Sequence, residues 1–98
     1  ITYTLVEHKS IREVAAILAS TNLVISNDTG IMHVGAAVGT PVLSLFGPTD
    51  PEQWAPKGER NRYIIGENGV IDSIAVKEVL DAARAMLRNQ GIQSRVVA

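Results

Sequence analysis

"LVISNDTGIMHVGAAVGTPVLSLF", residues 23–46, decides how the chain is read. Its opening, "LVIS", is a short unbroken apolar run that suits a strand covered on both faces. Its end, "VLSLF", residues 42–46, is a second run of the same kind. Between them the residues from about Gly30 to Val38 fit a short helix. Gly39 stands where a left-handed residue ends such a helix, and Pro41 prevents continuation. A strand, a short helix and a second strand in so compact a crossover form a βαβ unit of a parallel sheet.

The flanking sequence extends the same alternation. "ITYTL", residues 1–5, alternates β-branched and aromatic residues and predicts an extended segment. "SIRE" from Ser10 is a capping box, with Ile11, Val14, Ala15 and Leu18 following at helical spacing on one apolar face. "GPTDPEQWAPKGERN", residues 47–61, is loop-like, with three prolines and two glycines. "RYIIG" is a third strand. A last helix starts between Asp72 and Val76 and runs to about Asn89, with Val76, Val79, Leu80, Ala83 and Leu87 as its buried stripe and Gly91 as its stop. The tail "IQSRVVA" reads equally as a loose terminus or an edge strand. The expected fold is α/β, a three-layer Rossmann-like parallel sheet with flanking helices.

In such sheets ligands bind beyond the carboxyl ends of the strands. That rule brings "NDTG" and "GPTDP" to one rim. A helix start at Gly30 offers about four backbone N–H groups without internal acceptors, and its dipole favours negative charge. Gly30 permits a tight turn and the close approach of a ligand. Thr29 and His33, four apart, fall on one face near that start. A hydroxyl, an imidazole and several amides together suit a phosphate. Asp28 would repel an anion, so it caps the helix, orients a neighbour or accepts from sugar hydroxyls. Gly35, Ala36 and Ala37 are small enough for the helix to lie close on the sheet. In the second loop Thr49 or Asp50 can cap a turn beginning at Pro51 and Glu52, a second helix start on the same crevice. The plainer alternative is that Asp28 or Thr29 is an ordinary cap, contributing about 0.5 to 2 kcal/mol. Trp54 either covers the crevice or simply packs.

Ninety-eight residues make one small domain. Nine basic and ten acidic side chains give a net charge of −1 with no like-charge run, which argues against nucleic acid as a partner. The lack of cysteine excludes disulfides and thiolate metal sites. No apolar stretch reaches the roughly 18 to 20 residues of a membrane span, and no signal peptide is visible. The start at Ile1 reads as a piece excised from a longer polypeptide. P-loop, dinucleotide, nucleophile-elbow and metal-ligand motifs are all missing, so no cofactor or metal is expected.

"SNDTGIMHVGAAVGTPVLSLFGPTDPEQWAP" resembles the C-terminal domain of the family 9 glycosyltransferases, the bacterial ADP-heptose:lipopolysaccharide heptosyltransferases. The resemblance covers residues 9 to 56 strongly and continues weakly through the last helix. It implies a GT-B architecture of two Rossmann-like domains facing across a cleft. Residues 1–98 would then be a single, partial nucleotide-sugar-binding domain, with the N-terminal acceptor domain absent. It further implies that Asp28, Thr29, Gly30 and His33 contact the diphosphate and sugar of the donor, with a weaker match at Lys9. Thr49 and Asp50 are added as candidate donor contacts. The implied partners are ADP-heptose or a similar nucleotide-sugar and a lipopolysaccharide core acceptor held by the missing domain. The reaction would be inverting, metal-free and cytoplasmic, at the inner face of the inner membrane. The family's general base, an aspartate of the N-terminal domain, has no match here, so the fragment alone is expected to be inactive. Two alternatives stay open: another nucleotide-sugar donor, or a non-catalytic interaction module of the same fold.

Overall fold

A computed structural model describes residues 5–91. The first helix, α1 (Ile11–Ala19), begins with the expected capping box. Glu13 N donates to Ser10 Oγ at 3.2 Å, and Ser10 N donates to Glu13 Oε1 at 3.2 Å. These two bonds satisfy two of the amides that a helix start leaves free. Val14, Ala15 and Leu18 are half-buried, while Ile11 remains exposed at the end of the stripe. The chain then forms β1 (Val24–Asn27), α2 (Gly30–Ala37) and β2 (Val42–Phe46). After a one-turn α3 (Pro51–Trp54) come β3 (Arg62–Ile65), two short 3-10 turns at Glu67–Gly69 and Ile71–Ser73, and α4 (Val76–Asn89).

The three strands are parallel in the order β1-β2-β3, so sequence order is spatial order. Val24 pairs with Val42 and Asn27 with Leu45, and Phe46 pairs with Ile65. Side chains alternate across the sheet and build a core on each face. Val24, Val42 and Phe46 meet Met32 and Ala55 on one face, with Leu18 and Ala36 packed against them. Leu43 meets Ala83 and Met86 on the other, with Ile64 and Val79 alongside. The layers are therefore α1, α2 and α3 on one side, the sheet, and α4 on the other. That is the expected Rossmann-like α/β arrangement. Full burial of Phe46, Met32, Leu43 and Val42 contributes about 1.5 to 3 kcal/mol each before entropy is charged against it.

Side-chain bonds fix which way the helices point. Thr40 Oγ1, just before β2, donates to Leu18 O at 2.8 Å, so α1 ends where the strands begin. Its start, about 13 Å away along the axis, points toward the rim where the strands end. Gln90 Nε2 donates to Asn22 O at 3.1 Å and ties the end of α4 to that same lower edge. Gly39, at φ 86, ends α2 in the left-handed region, as the Gly-Thr-Pro stop predicts.

Three expectations change. First, β1 is covered on one face only: Val24 is buried, but Ile25 is 48% exposed. With α4 lying over β2 and β3, no described helix reaches across to Ile25. Second, the stripe of α4 is shifted. Val76 is 68% exposed, whereas Met86 is buried beside Ala83, because the first turn of the helix overhangs the ends of the strands. Third, Ala37 faces solvent, and only Gly35 and Ala36 turn toward the sheet. The helical turn expected at Pro51 and Glu52 is present within "GPTDPEQWAPKGERN". The strand expected at residues 1–5 and the tail at 92–98 lie outside the described residues, apart from Leu5, which is exposed and in no strand.

Ser44 sits in the middle of β2, fully buried, and its Oγ has no hydrogen-bond partner among the described residues. A buried hydroxyl left unpaired costs about 1 to 3 kcal/mol. Ser44→Ala is expected to raise stability by about 1 kcal/mol, seen as a higher denaturant midpoint. A lower midpoint would show that the hydroxyl has a partner.

Candidate functional site

The parallel register brings the ends of β1 and β2 side by side, so the loops after Asn27 and Phe46 leave from one rim. The first leads directly into α2. Asp28 is half-buried, and Thr29, Gly30 and His33 are exposed. Neither Asp28 nor Thr29 caps the helix. Thr29 has the extended backbone of a cap residue, φ −140 and ψ 174, yet its side chain makes no cap bond. The Asp28 carboxylate accepts no hydrogen bond among the described residues. The ordinary-cap alternative therefore does not hold for α2.

What fills the turn instead is backbone and hydroxyl. Thr29 N donates to Asn27 O at 2.8 Å and Met32 N donates to Thr29 O at 3.1 Å. The amides of Gly30 and Ile31 have no acceptor among the described residues. They stand at the positive end of the helix dipole, where an anion is favoured. Gly30 needs no special backbone angle, and a Cβ built there meets nothing within 4 Å. The fold makes no demand for glycine at this point, so the space above Gly30 is simply open. His33, one turn on, carries an exposed imidazole with no partner among the described residues.

Beneath the site α2 is pressed onto the sheet. Met32 is fully buried, and a Cβ on Gly35 would stand 3.2 Å from a methyl of Val24 and 3.2 Å from one of Val42. The small residue thus sets the height of the helix, and with it the position of the free amides.

In the second loop the structure chooses between the two expected caps. Asp50, not Thr49, caps α3, with Glu52 N donating to Asp50 Oδ1 at 3.0 Å. One oxygen of that exposed carboxylate holds the turn, and one turn of helix has little dipole to offer. Thr49 is half-buried without a hydrogen bond, and Trp54 is 48% exposed with no ring partner among the described residues. Lys9, just before α1, makes a loose 3.8 Å ion pair with Glu13, both exposed, which contributes little.

Two features escaped the sequence reading. Ser26, the penultimate residue of β1, places its Oγ 3.3 Å from Thr29 Oγ1. A cavity of about 580 Å³ opens beside Asn27 on the α4 side of the sheet, walled by Leu45, Ile71, Ile74, Val76 and Leu80. Its walls come from segments far apart in sequence, so no local pattern announces it. Among the described residues no group of three or more His, Asp or Glu could hold a metal ion, and no helix is long and apolar enough to cross a membrane.

The model of glycosyltransferase family 9 (heptosyltransferase) matches residues 2–81, most of the chain and all of the site. The chain belongs to glycosyltransferase family 9. This family 9 chain is 50% identical over 42 residues to lipopolysaccharide heptosyltransferase 1 of Salmonella typhimurium, covering 43% of the chain and 13% of that protein. It is 35% identical over 55 residues to lipooligosaccharide heptosyltransferase 2 of Haemophilus influenzae, covering 56% and 16%. It superimposes on the E. coli heptosyltransferase WaaC with ADP at a TM-score of 0.77 and 26% identity, covering 83% of the chain and 25% of that structure. WaaC with ADP-2-deoxy-2-fluoro heptose aligns at 0.71. The chain thus spans a quarter or less of each of these family members.

Proposed function

We propose that the chain is the donor-binding part of an inverting glycosyltransferase that moves heptose from ADP-heptose to the inner core of lipopolysaccharide. It would form a partial nucleotide-sugar-binding domain of a GT-B enzyme, working in the cytoplasm at the inner membrane. The observation that carries the reading is the start of α2, where the amides of Gly30 and Ile31 stand uncapped. Family membership and the ADP and ADP-sugar named for the WaaC structures support the choice of ligand.

The chemistry follows from charge. When a sugar leaves a nucleoside diphosphate, negative charge grows on the bridging and β-phosphate oxygens. Amides aimed at that position stabilise the charge without having to reorganise. Thr29 adds a hydroxyl and His33 an imidazole N–H, with Lys9 as a nearby cation. Asp28 orients the loop or accepts from a sugar hydroxyl. Thr49 would contact the donor from the second loop, while Asp50 caps the turn of α3. The base that deprotonates the acceptor is assigned to the N-terminal domain.

Titrating ADP into the full-length protein tests the site. His33→Ala is expected to weaken ADP about three- to tenfold, the value of one hydrogen bond to a charged group. Unchanged affinity would remove His33 from the site.

A further inference from the structure

Thr29 is a cap residue that does not cap. A threonine with this backbone ordinarily accepts from the second or third amide of its own helix, and doing so here would fill the start of α2 with the chain's own oxygen. Its Oγ1 instead lies 3.3 Å from Ser26 Oγ. Ser26 Oγ in turn donates to Asn27 O at 2.8 Å. Each hydroxyl has one hydrogen. Ser26 has spent its own on the backbone, so Thr29 is the donor of the pair and Ser26 the acceptor.

We propose that Ser26 is a positioning residue, which draws the Thr29 hydroxyl aside and so keeps the first-turn amides of α2 open for the diphosphate of the donor. This rests on the donor reading of that site. Ser26 itself touches no ligand; it acts through Thr29. When an anion arrives, the Thr29 hydrogen turns toward it. The Ser26 hydroxyl, free to rotate, can then donate to the vacated Thr29 oxygen. The arrangement withholds a stabilising cap from the helix in order to keep its start available.

The test uses the full-length protein with ADP as the probe, followed by calorimetry and by thermal denaturation. Thr29→Val is expected to weaken ADP about three- to tenfold. Ser26→Ala is expected to weaken it similarly without lowering Tm, because the freed threonine now caps its own helix. Ser26→Thr, which keeps the hydroxyl, restores affinity. The double variant Ser26→Ala with Thr29→Val binds no worse than Thr29→Val alone, since Ser26 has nothing left to position. The inference is overturned if Ser26→Ala keeps full affinity, if its Tm and affinity fall together, or if the two losses add. If Thr29→Val binds ADP like the wild type, the donor reading of Thr29 fails, and this inference fails with it.

Discussion

Gly30→Asp is expected to lower ADP affinity by about a hundredfold or more while leaving Tm unchanged or slightly raised. Two unit charges about 4 Å apart in a setting of effective dielectric 20 repel by about 4 kcal/mol, which sets that scale. The fold has room for the change, because a Cβ at Gly30 meets nothing within 4 Å and the residue needs no glycine-only angle. An acidic residue in the first turn also favours the helix by about 0.3 to 1 kcal/mol. Stability and binding should therefore move in opposite directions. Gly30→Ala is the control, adding bulk without charge. An aspartate variant that binds ADP as tightly as the alanine one would show that no anion sits over the start of α2.

The largest loss of stability is expected from Gly66→Ala, about 3 kcal/mol or more, through overpacking against backbone that cannot give way. Gly66 has an unremarkable φ of −69, so flexibility is not what the position requires. Space is. A methyl there would overlap the Val70 carbonyl oxygen and press on Ile71 Cα at 3.1 Å. The segment from Gly66 to Ser73 is folded tightly on itself: Glu67 N donates to Ser73 Oγ at 2.6 Å, and Ser73 Oγ donates to Val70 O at 2.7 Å. It also packs on the exit of β2, where a Cβ on Gly47 would stand 3.2 Å from Gly69 O. Opening it would strip cover from the rim. Denaturant unfolding of the full-length protein measures the effect, and a change below about 1 kcal/mol would mean the loop adapts freely.

Those two glycines also mark what the sequence could and could not tell. The capping box at Ser10, the run "VLSLF" and the Gly39 stop each rest on residues within a few positions of one another. Local chemistry decides them, and all three stand in the structure. The coverage of Ile25 depends on which helix crosses which strand, a fact no short window contains. The phase of α4 turned on where the helix meets the strand ends, so Val76 and Met86 exchanged places. The turns at 67–73 carry no periodic pattern; Asn68 has φ 53, and Gly69, at φ 73, lies against Gly47 and Pro48.

At the site, an exposed helix start from Asp28 to His33 was legible, because glycine and polar side chains coincide at a strand end. The state of Thr29 was not. Whether a threonine caps its helix or turns away depends on a hydroxyl three residues earlier and a carbonyl beside it, a matter of ångströms rather than of residue type. Asp50, by contrast, takes the capping place that the sequence offers to it or to Thr49, accepting from Glu52 N through Oδ1.

The contact of Gly35 with Val24 and Val42 has a mechanical meaning. A helix set so closely over two valines, with Met32 sealed beneath it, is seated tightly on the sheet. The platform behaves as an anvil. A bulkier side chain at 35 would lift that anvil from the sheet without touching a single polar group.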